Sequence, residues 1–174
     1  MVIETKRLIL REYSQDDFEY LREIICDEET MKYYPKAYDE NGVQRWLDWC
    51  IKSYADNGFG LWAIVLKENG EFIGDCGISL QKIDGEILPE IGYHINKKHW
   101  QQGYAKEASC AVKDWFFTNT DYESVYSYMN EQNLPSRKTA EANKMSLINK
   151  YDDGEELLCV YAITRQEWEK SKLG

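Results

Sequence analysis

The spacing of apolar residues changes along the chain and predicts helices and strands in a mixed order. Residues 7–11 form a short apolar run between charges, which indicates a strand. Ser14 and Asp17 have the spacing of a capping box at the start of a first helix. A second helix is predicted by an apolar stripe at positions i, i+3, i+4 and i+7, namely Val43, Trp46, Leu47, Cys50, Ile51 and Tyr54.

Three consecutive strands follow, at residues 61–66, 72–80 and 87–95. The turn signals Asn69-Gly70 and Asp84-Gly85 separate them, and both dipeptides are typical of tight hairpins. We therefore expect the three strands to pair antiparallel in chain order.

The second half of the chain returns to mixed elements. A loop at residues 101–105 opens a helix, a strand covers 124–129, a short helix covers 133–143, and residues 145–151 and 156–163 form a closing hairpin. The resulting order, β-α-α-β-β-β-α-β-α-β-β, predicts an α/β (α+β) fold in a single domain over residues 1–174, with a mixed, mostly antiparallel sheet flanked by helices.

Composition limits the class of protein. The chain has 174 residues, 43% of them hydrophobic, which is enough for a packed core. No apolar run reaches the roughly 18 residues needed to cross a bilayer, and the N-terminus lacks the features of a secretory signal. The five cysteines are scattered and form no metal-binding pattern, so we expect reduced thiols, a cytoplasmic location and no metal site.

The formal net charge is −10. Such a chain repels phosphate backbones, which argues against general nucleic-acid binding. The charge would attract a cationic partner, such as an amine or a basic polypeptide. It can equally serve solubility alone.

The segment with the clearest chemistry is the loop at residues 101–105. A strand runs into this loop, Gly103 permits close approach of a bulky group, and a helix begins at once. Backbone N–H groups then converge beside the positive end of the helix dipole, which favours a phosphate. Glycine also begins many helices for turn reasons alone, and the loop matches neither a Walker loop nor a G-x-G-x-x-G fingerprint.

Residues 100–108, Trp-Gln-Gln-Gly-Tyr-Ala-Lys-Glu-Ala, resemble the coenzyme A pyrophosphate loop of the GNAT N-acetyltransferase superfamily, especially its ribosomal-protein alanine N-acetyltransferase (Rim-type) branch. Residues 4–11, 90–93 and 133–137 resemble further stretches of that branch, in the same order and spacing. The resemblance covers nearly the whole chain. It implies an acetyl-CoA-dependent enzyme in which two splayed strands hold the cofactor.

The resemblance also implies roles for individual residues. The pyrophosphate would be held by the amides around the loop, at Gln101, Gln102, Gly103, Tyr104, Ala105 and Lys106. The pantetheine arm would pair with the backbone of Tyr93, His94 and Ile95, and an N–H of Tyr93 or Ile95 could polarise the acetyl carbonyl. Asn133 and Ser136 would contact the cofactor, while Asn133 can also cap its helix.

Glu90 is the leading candidate for a general base, directly or through water, and it would also border the acceptor amine. The alternative is an ordinary surface carboxylate. His94 is a further candidate for a catalytic acid or base, because histidine is the residue type that most often serves this role near neutral pH, but it can point into the opposite face of the sheet. Many family members have, at the position of Ala140, a tyrosine that acts as the general acid for the leaving thiolate. Its absence leaves Ser136 or solvent as the proton donor.

The acceptor would meet aromatic side chains from the first helices and their loop, among them Tyr33, Tyr34 and Trp46. We expect a protein N-terminal α-amine as the acceptor. A small amine (polyamine, amino acid or aminoglycoside) and a non-catalytic acetyl-CoA-binding module are the alternatives, and the protein can be a monomer or a homodimer. Lys144, at the family's usual helix-ending glycine, implies a different C-cap.

Overall fold

A computed structural model describes residues 2–173 and contains one eight-stranded sheet with helices on both faces. The strands are β1 (Val2–Glu4), β2 (Leu8–Arg11), β3 (Leu61–Leu66), β4 (Phe72–Ile83), β5 (Glu86–Ile95), β6 (Ser124–Asn130), β7 (Ser146–Asp152) and β8 (Leu157–Thr164). The helices are α1 (Phe18–Ile25), α2 (Glu40–Asn57), α3 (Tyr104–Asn119), α4 (Leu134–Ala142) and α5 (Arg165–Lys172). No helix in this part of the chain is long and apolar enough to cross a membrane.

The strand order is β1-β2-β3-β4-β5-β6-β8-β7. Every neighbouring pair is antiparallel except β5 and β6, which run parallel. The predicted α/β (α+β) fold with a mostly antiparallel sheet is therefore confirmed. The predicted element order is also confirmed, but it omitted β1 and α5, and residue 7 lies before β2 rather than within it.

The β4–β5 hairpin is the longest pairing in the sheet and fixes the position of β5. Asp84 and Gly85 form its turn with φ angles of +46° and +89°, the backbone that a two-residue hairpin of this type requires. The turn sets the register, which places Ser79 opposite Glu90 and Asp75 opposite His94. These four polar residues consequently share one face of the sheet.

Two hydrophobic cores hold the helices on the sheet. One lies against α3 and includes Ile91, Ile95, Val112 and Phe116. The other lies against α1 and α2 and includes Leu21, Ile24, Val43 and Leu47. Since side chains alternate along β5, its odd-numbered residues face α3, and Glu90 and His94 face the α1–α2 side.

The end of α4 corrects one expectation from the sequence. Lys144 has φ +65°, its N–H donates to the Glu141 carbonyl at 2.9 Å, and the Met145 N–H donates to the Ala140 carbonyl at 3.1 Å. This pair of bonds is a Schellman motif with lysine at the left-handed position. The prediction of a different C-cap is wrong, because the backbone keeps the geometry that glycine usually supplies.

Candidate active site

The loop before α3 is shaped by two residues with left-handed backbone. Gln101 has φ +61° and Gly103 has φ +81°, and Gly103 is the N-cap of α3. The Glu107 N–H bonds to the Gly103 carbonyl at 3.0 Å, so the three preceding N–H groups of the helix have no helical carbonyl within reach. These donors lie at the positive end of a 16-residue helix and can bind an anion.

The turn between β1 and β2 braces this loop, a contact that the sequence did not reveal. Arg7 Nε donates to Glu107 Oε2 at 2.6 Å, and Arg7 Nη1 donates to the Gln102 carbonyl at 2.9 Å. Thr5 Oγ1 donates to Glu107 Oε1 at 2.6 Å, and the Arg7 guanidinium carbon lies 4.3 Å from the centre of the Tyr104 ring. The N-terminal turn is thus part of the wall around the loop.

The parallel strands β5 and β6 meet at one residue pair, Glu90 and Tyr126. One step further, Ser127 Oγ donates to the Ile91 carbonyl at 3.2 Å. No residue pair is assigned between the two strands beyond Glu90 and Tyr126 within the described chain. This opening toward the ends of β5 and β6 is called the split below.

Backbone donors of β5 face the split. The Asn96 N–H donates to the Ile73 carbonyl of β4 at 2.8 Å. Because N–H directions alternate along a strand, the N–H groups of Tyr93 and Ile95 point to the opposite edge, toward β6. Trp100 Nε1 donates to the Ile95 carbonyl at 2.8 Å, which ties the end of β5 to the loop before α3.

Tyr93 crosses from β5 to the start of α4. Its hydroxyl lies 2.8 Å from Ser136 Oγ, and the Asn133 side chain accepts from the Ser136 N–H at 3.2 Å as the N-cap. Burial raises the pKa of Tyr93 to about 12, against the hydrogen bonds to Ser136 and Thr139. Tyr93 therefore stays protonated at neutral pH and can donate a hydrogen bond.

Glu90 lies at the closed end of the split and is 8% exposed. Ser79 Oγ donates to Glu90 Oε2 at 3.4 Å, and a Cβ at Gly92 would stand 2.9 Å from the same oxygen, so the carboxyl group folds over Gly92. Burial raises the pKa of Glu90 to about 8, and the Ser79 hydrogen bond only partly offsets this. The alternative of an ordinary surface carboxylate does not describe this group.

His94 is buried on the α1–α2 face and belongs to a side-chain network. Its Nδ1 lies 2.9 Å from Asp75 Oδ1, its backbone N–H donates to the same oxygen at 3.0 Å, and Tyr13 donates to Asp75 Oδ2 at 2.9 Å. Its ring lies 5.1 Å from that of Tyr34 and 5.6 Å from that of Trp46. The His94 N–H therefore points to Asp75 and away from the split, which disagrees with its predicted backbone pairing to the cofactor.

An open cleft of about 370 Å³ lies at the mouth of the split. Tyr33 and Tyr34 line it, together with Lys32, Pro35, Asn130, Gln132 and Glu156. Tyr34 is 43% exposed toward this cleft, and its ring packs against that of His94 at 5.1 Å. Trp46 is not among the residues that line the cleft and contacts His94 instead.

The residues present fit the expected coenzyme A. Within residues 2–173, the first N–H groups of α3 have no helical carbonyl as partner and suit the pyrophosphate, and the edge of β5 beyond Glu90 has no assigned strand pair and suits the amide groups of the pantetheine arm. Ala140 is buried in the same core cluster as residues of α3, and its methyl side chain has no proton to donate, whereas Tyr93 and Ser136 bring two hydroxyl groups together at the start of α4. The structure thus gathers Glu90, Tyr93, Ser136 and the loop around one split.

Comparisons with known proteins agree with this geometry. Residues 7–146 match the acetyltransferase (GNAT) domain model. The uncharacterized N-acetyltransferase YnaD of Bacillus subtilis is 27% identical over 97% of this chain and 99% of its own length. A solved acetyltransferase from Agrobacterium tumefaciens is 27% identical over 94% of both chains, with a TM-score of 0.81.

A second solved structure shares the fold. The ribosomal-protein-S5-alanine acetyltransferase of Vibrio fischeri has a TM-score of 0.80 and 14% identity, over 97% of this chain and 98% of its own. This likeness concerns the fold, and the family match over residues 7–146 carries the assignment. This chain belongs to the GNAT acetyltransferase family and is an N-acetyltransferase that uses acetyl-CoA.

Proposed function

We propose that the enzyme acetylates a protein N-terminal α-amine, with Glu90 as general base, and that residues 1–174 act as one cytoplasmic domain. The observation that carries this proposal is the carboxyl group of Glu90, buried at the closed end of the split with a pKa of about 8. A general base works best when its pKa lies near the operating pH, so a carboxyl group with a pKa of about 8 suits this role near neutral pH.

The match of pKa values favours an α-amine over a lysine side chain. An α-amino group has a pKa of about 8, whereas a lysine amine has a pKa of about 10.4. Proton transfer from an α-ammonium to Glu90 is therefore nearly balanced. Transfer from a lysine ammonium would be unfavourable by about two pKa units.

The chain's own groups can perform the remaining steps. Acetyl-CoA, when bound, supplies the acetyl thioester. The N–H groups of Tyr93 and Ile95 face the split and can polarise the carbonyl of the transferred group. Tyr93, with Ser136 as its partner, can donate a hydrogen bond to the departing sulfur.

The cleft supports a cationic acceptor that enters from the surface. Asn130 Nδ2 donates to Glu156. Desolvation raises the pKa of Tyr128, and the charge of Glu90 raises it further, with smaller contributions from Asp153 and Glu156. Glu156 therefore adds a negative charge to the wall of the cleft, to which Lys32 adds a positive one, while Glu90 at the inner end is charged only when it is deprotonated. An acceptor amine would pass Glu156 before it reaches the base.

The test is to incubate the purified protein with acetyl-CoA and a panel of acceptors. The rate is measured as release of the free thiol of coenzyme A. We expect peptides with a free α-amine to react about 10²-fold faster at pH 7.5 than N-blocked peptides that offer only lysine. Turnover of a polyamine, an amino acid or an aminoglycoside, with no turnover of any peptide N-terminus, would show that the acceptor is a small amine. Coenzyme A binding with no turnover of any amine would indicate a binding module.

A further inference from the structure

Arg7 contacts the loop at residues 101–105 from far away in the sequence. Its Nε–H is taken by Glu107 and its Nη1 by the Gln102 carbonyl. Its Nη2 has no hydrogen-bond partner among residues 2–173, and it lies 3.5 Å from the point where a Cβ on Gly103 would stand. We propose that Arg7 binds the pyrophosphate of coenzyme A through Nη2, while Nε and Nη1 hold the loop in its anion-binding shape.

The charges around the first turn of α3 require such a residue. Although partial burial favours the neutral acid, hydrogen bonds from Thr5 and Arg7 outweigh it and lower the pKa of Glu107. Glu107 is therefore ionised at neutral pH, beside a site for an anion. The Arg7 guanidinium lies 2.6 Å from this carboxylate and neutralises it, so that the backbone donors act on the phosphates without opposition.

The geometry is specific to arginine. The guanidinium is a rigid plane that serves Glu107 and Gln102 at once and still has a third nitrogen free, whereas lysine offers one point charge on a flexible stem. Contact with the Tyr104 ring, 4.3 Å from the guanidinium carbon, fixes this plane further. The free nitrogen is thereby directed by three neighbours rather than left to solvent.

The experiment measures binding in the absence of an acceptor. Kd values for coenzyme A, by calorimetry, and for pantetheine, by NMR titration, are compared in wild type and in Arg7→Met, Arg7→Lys, Glu107→Gln and the double variant Arg7→Met/Glu107→Gln. Pantetheine contains the arm and thiol but no phosphates. Arg22→Met is the matched control, since Arg22 is also 40% exposed and ion-paired, to Glu19 at 2.7 Å, on α1.

We expect Arg7→Met to weaken coenzyme A binding about 30-fold and Arg7→Lys several-fold, with pantetheine binding unchanged. The double variant should bind coenzyme A more tightly than Arg7→Met, because an uncompensated carboxylate has been removed. Arg22→Met should bind both ligands as wild type does.

Two results would overturn the proposal. An equal loss for coenzyme A and pantetheine would show that Arg7 only braces the fold, and an unchanged Kd for coenzyme A in Arg7→Met would show no contact. If Arg7→Met does not fold, as judged by its thermal transition, Arg7→Lys decides by the same comparison of ligands. Neither result depends on which amine the enzyme acetylates.

Discussion

The two ends of the split use different parts of the polypeptide. At the α3 end, the groups that face the cofactor are backbone N–H donors, set by the left-handed residues Gln101 and Gly103. At the inner end, the groups are side chains, with Glu90 against Ser79 and Tyr34 toward the cleft. The first end is specified mainly by backbone shape, with Arg7 as the side chain that braces it, and the second by side-chain identity.

This difference determines how each end should respond to substitution. A site made of backbone donors accepts many side chains, provided that the loop keeps its shape. A site made of buried side chains changes its chemistry with one substitution. Cofactor binding should therefore respond most to changes in backbone conformation and to the loss of Arg7, and turnover should respond to changes in the side chains at the inner end.

The largest effect should come from Glu90→Gln, which keeps the shape and removes the base. We expect kcat to fall about 10²- to 10⁴-fold, while the Kd of coenzyme A stays within about twofold of wild type. The rise of wild-type kcat/KM as pH approaches about 8 should disappear. Glu86→Gln, an exposed carboxylate on the same strand, is the control. A rate within threefold of wild type would remove Glu90 from the mechanism.

Gly103→Glu should act on the other end. A side chain at φ +81° strains the loop, and the carboxylate repels the pyrophosphate, so the Kd of coenzyme A should rise by at least about 10²-fold. Gly70→Glu introduces the same residue at φ +75°, with open space around it, in the β3–β4 turn. If both variants bind coenzyme A equally well, the loop does not hold the phosphates.

The buried carboxyl group should also appear in the pH dependence of stability. Folding raises the pKa of Glu90 to about 8, so the folded state retains a proton that the unfolded state loses near pH 4.5. The associated stability is complete below pH 4.5 and is lost as pH rises to about 8. Glu90→Gln should thus gain a few kcal/mol relative to wild type across this range, measured by denaturant unfolding. A pH-independent difference would contradict the burial of this charge.

Ser136→Ala tests the link between the two ends. Loss of the partner of the Tyr93 hydroxyl should lower kcat about three- to tenfold with little change in coenzyme A affinity. Ser136→Thr keeps the hydroxyl and should retain most of the rate. Equal rates in wild type and Ser136→Ala would show that the hydrogen bond between Ser136 and Tyr93 does not contribute to turnover.

The smallest effect concerns stability alone. Lys144→Gly relieves a left-handed lysine at the far end of α4 and should stabilise the fold by about 1 kcal/mol. The midpoint of urea unfolding should rise, while kcat and the coenzyme A Kd should not change. A change in either functional constant would show that the C-cap of α4 communicates with Ser136 at its start.

Much of this structure could be predicted because its signals are local. The turn Asp84-Gly85 predicts the β4–β5 hairpin. Counting residues outward from this turn also gives the register, which pairs Asp75 with His94 and Ser79 with Glu90. The alternation of side chains along a strand is the reason to expect that His94 can point away from the cofactor face. Which face carries α1 and α2 depends on tertiary packing, which the hairpin does not encode.

Other features depend on contacts that no local rule contains. Arg7 and Glu107 are 100 residues apart, and opposite charges at such a distance form no pattern. The helix α5 is strongly polar, and its signal was the capping box of Thr164 and Glu167, with Trp168 as its anchor on α3. The strand β1 has three residues, too few for any periodicity to show.

The single bridge between β5 and β6 has a consequence for cooperativity. The sheet consists of two antiparallel sets, β1–β5 and β6–β8, and the ladder between them is interrupted where β5 and β6 diverge. A ligand that binds in the split and pairs with the strand edges joins the two sets. Fluctuations that separate the two sets then become rarer, by about the ratio of the ligand concentration to its Kd. Amide hydrogen exchange at Tyr93 and Ile95 would record this coupling directly.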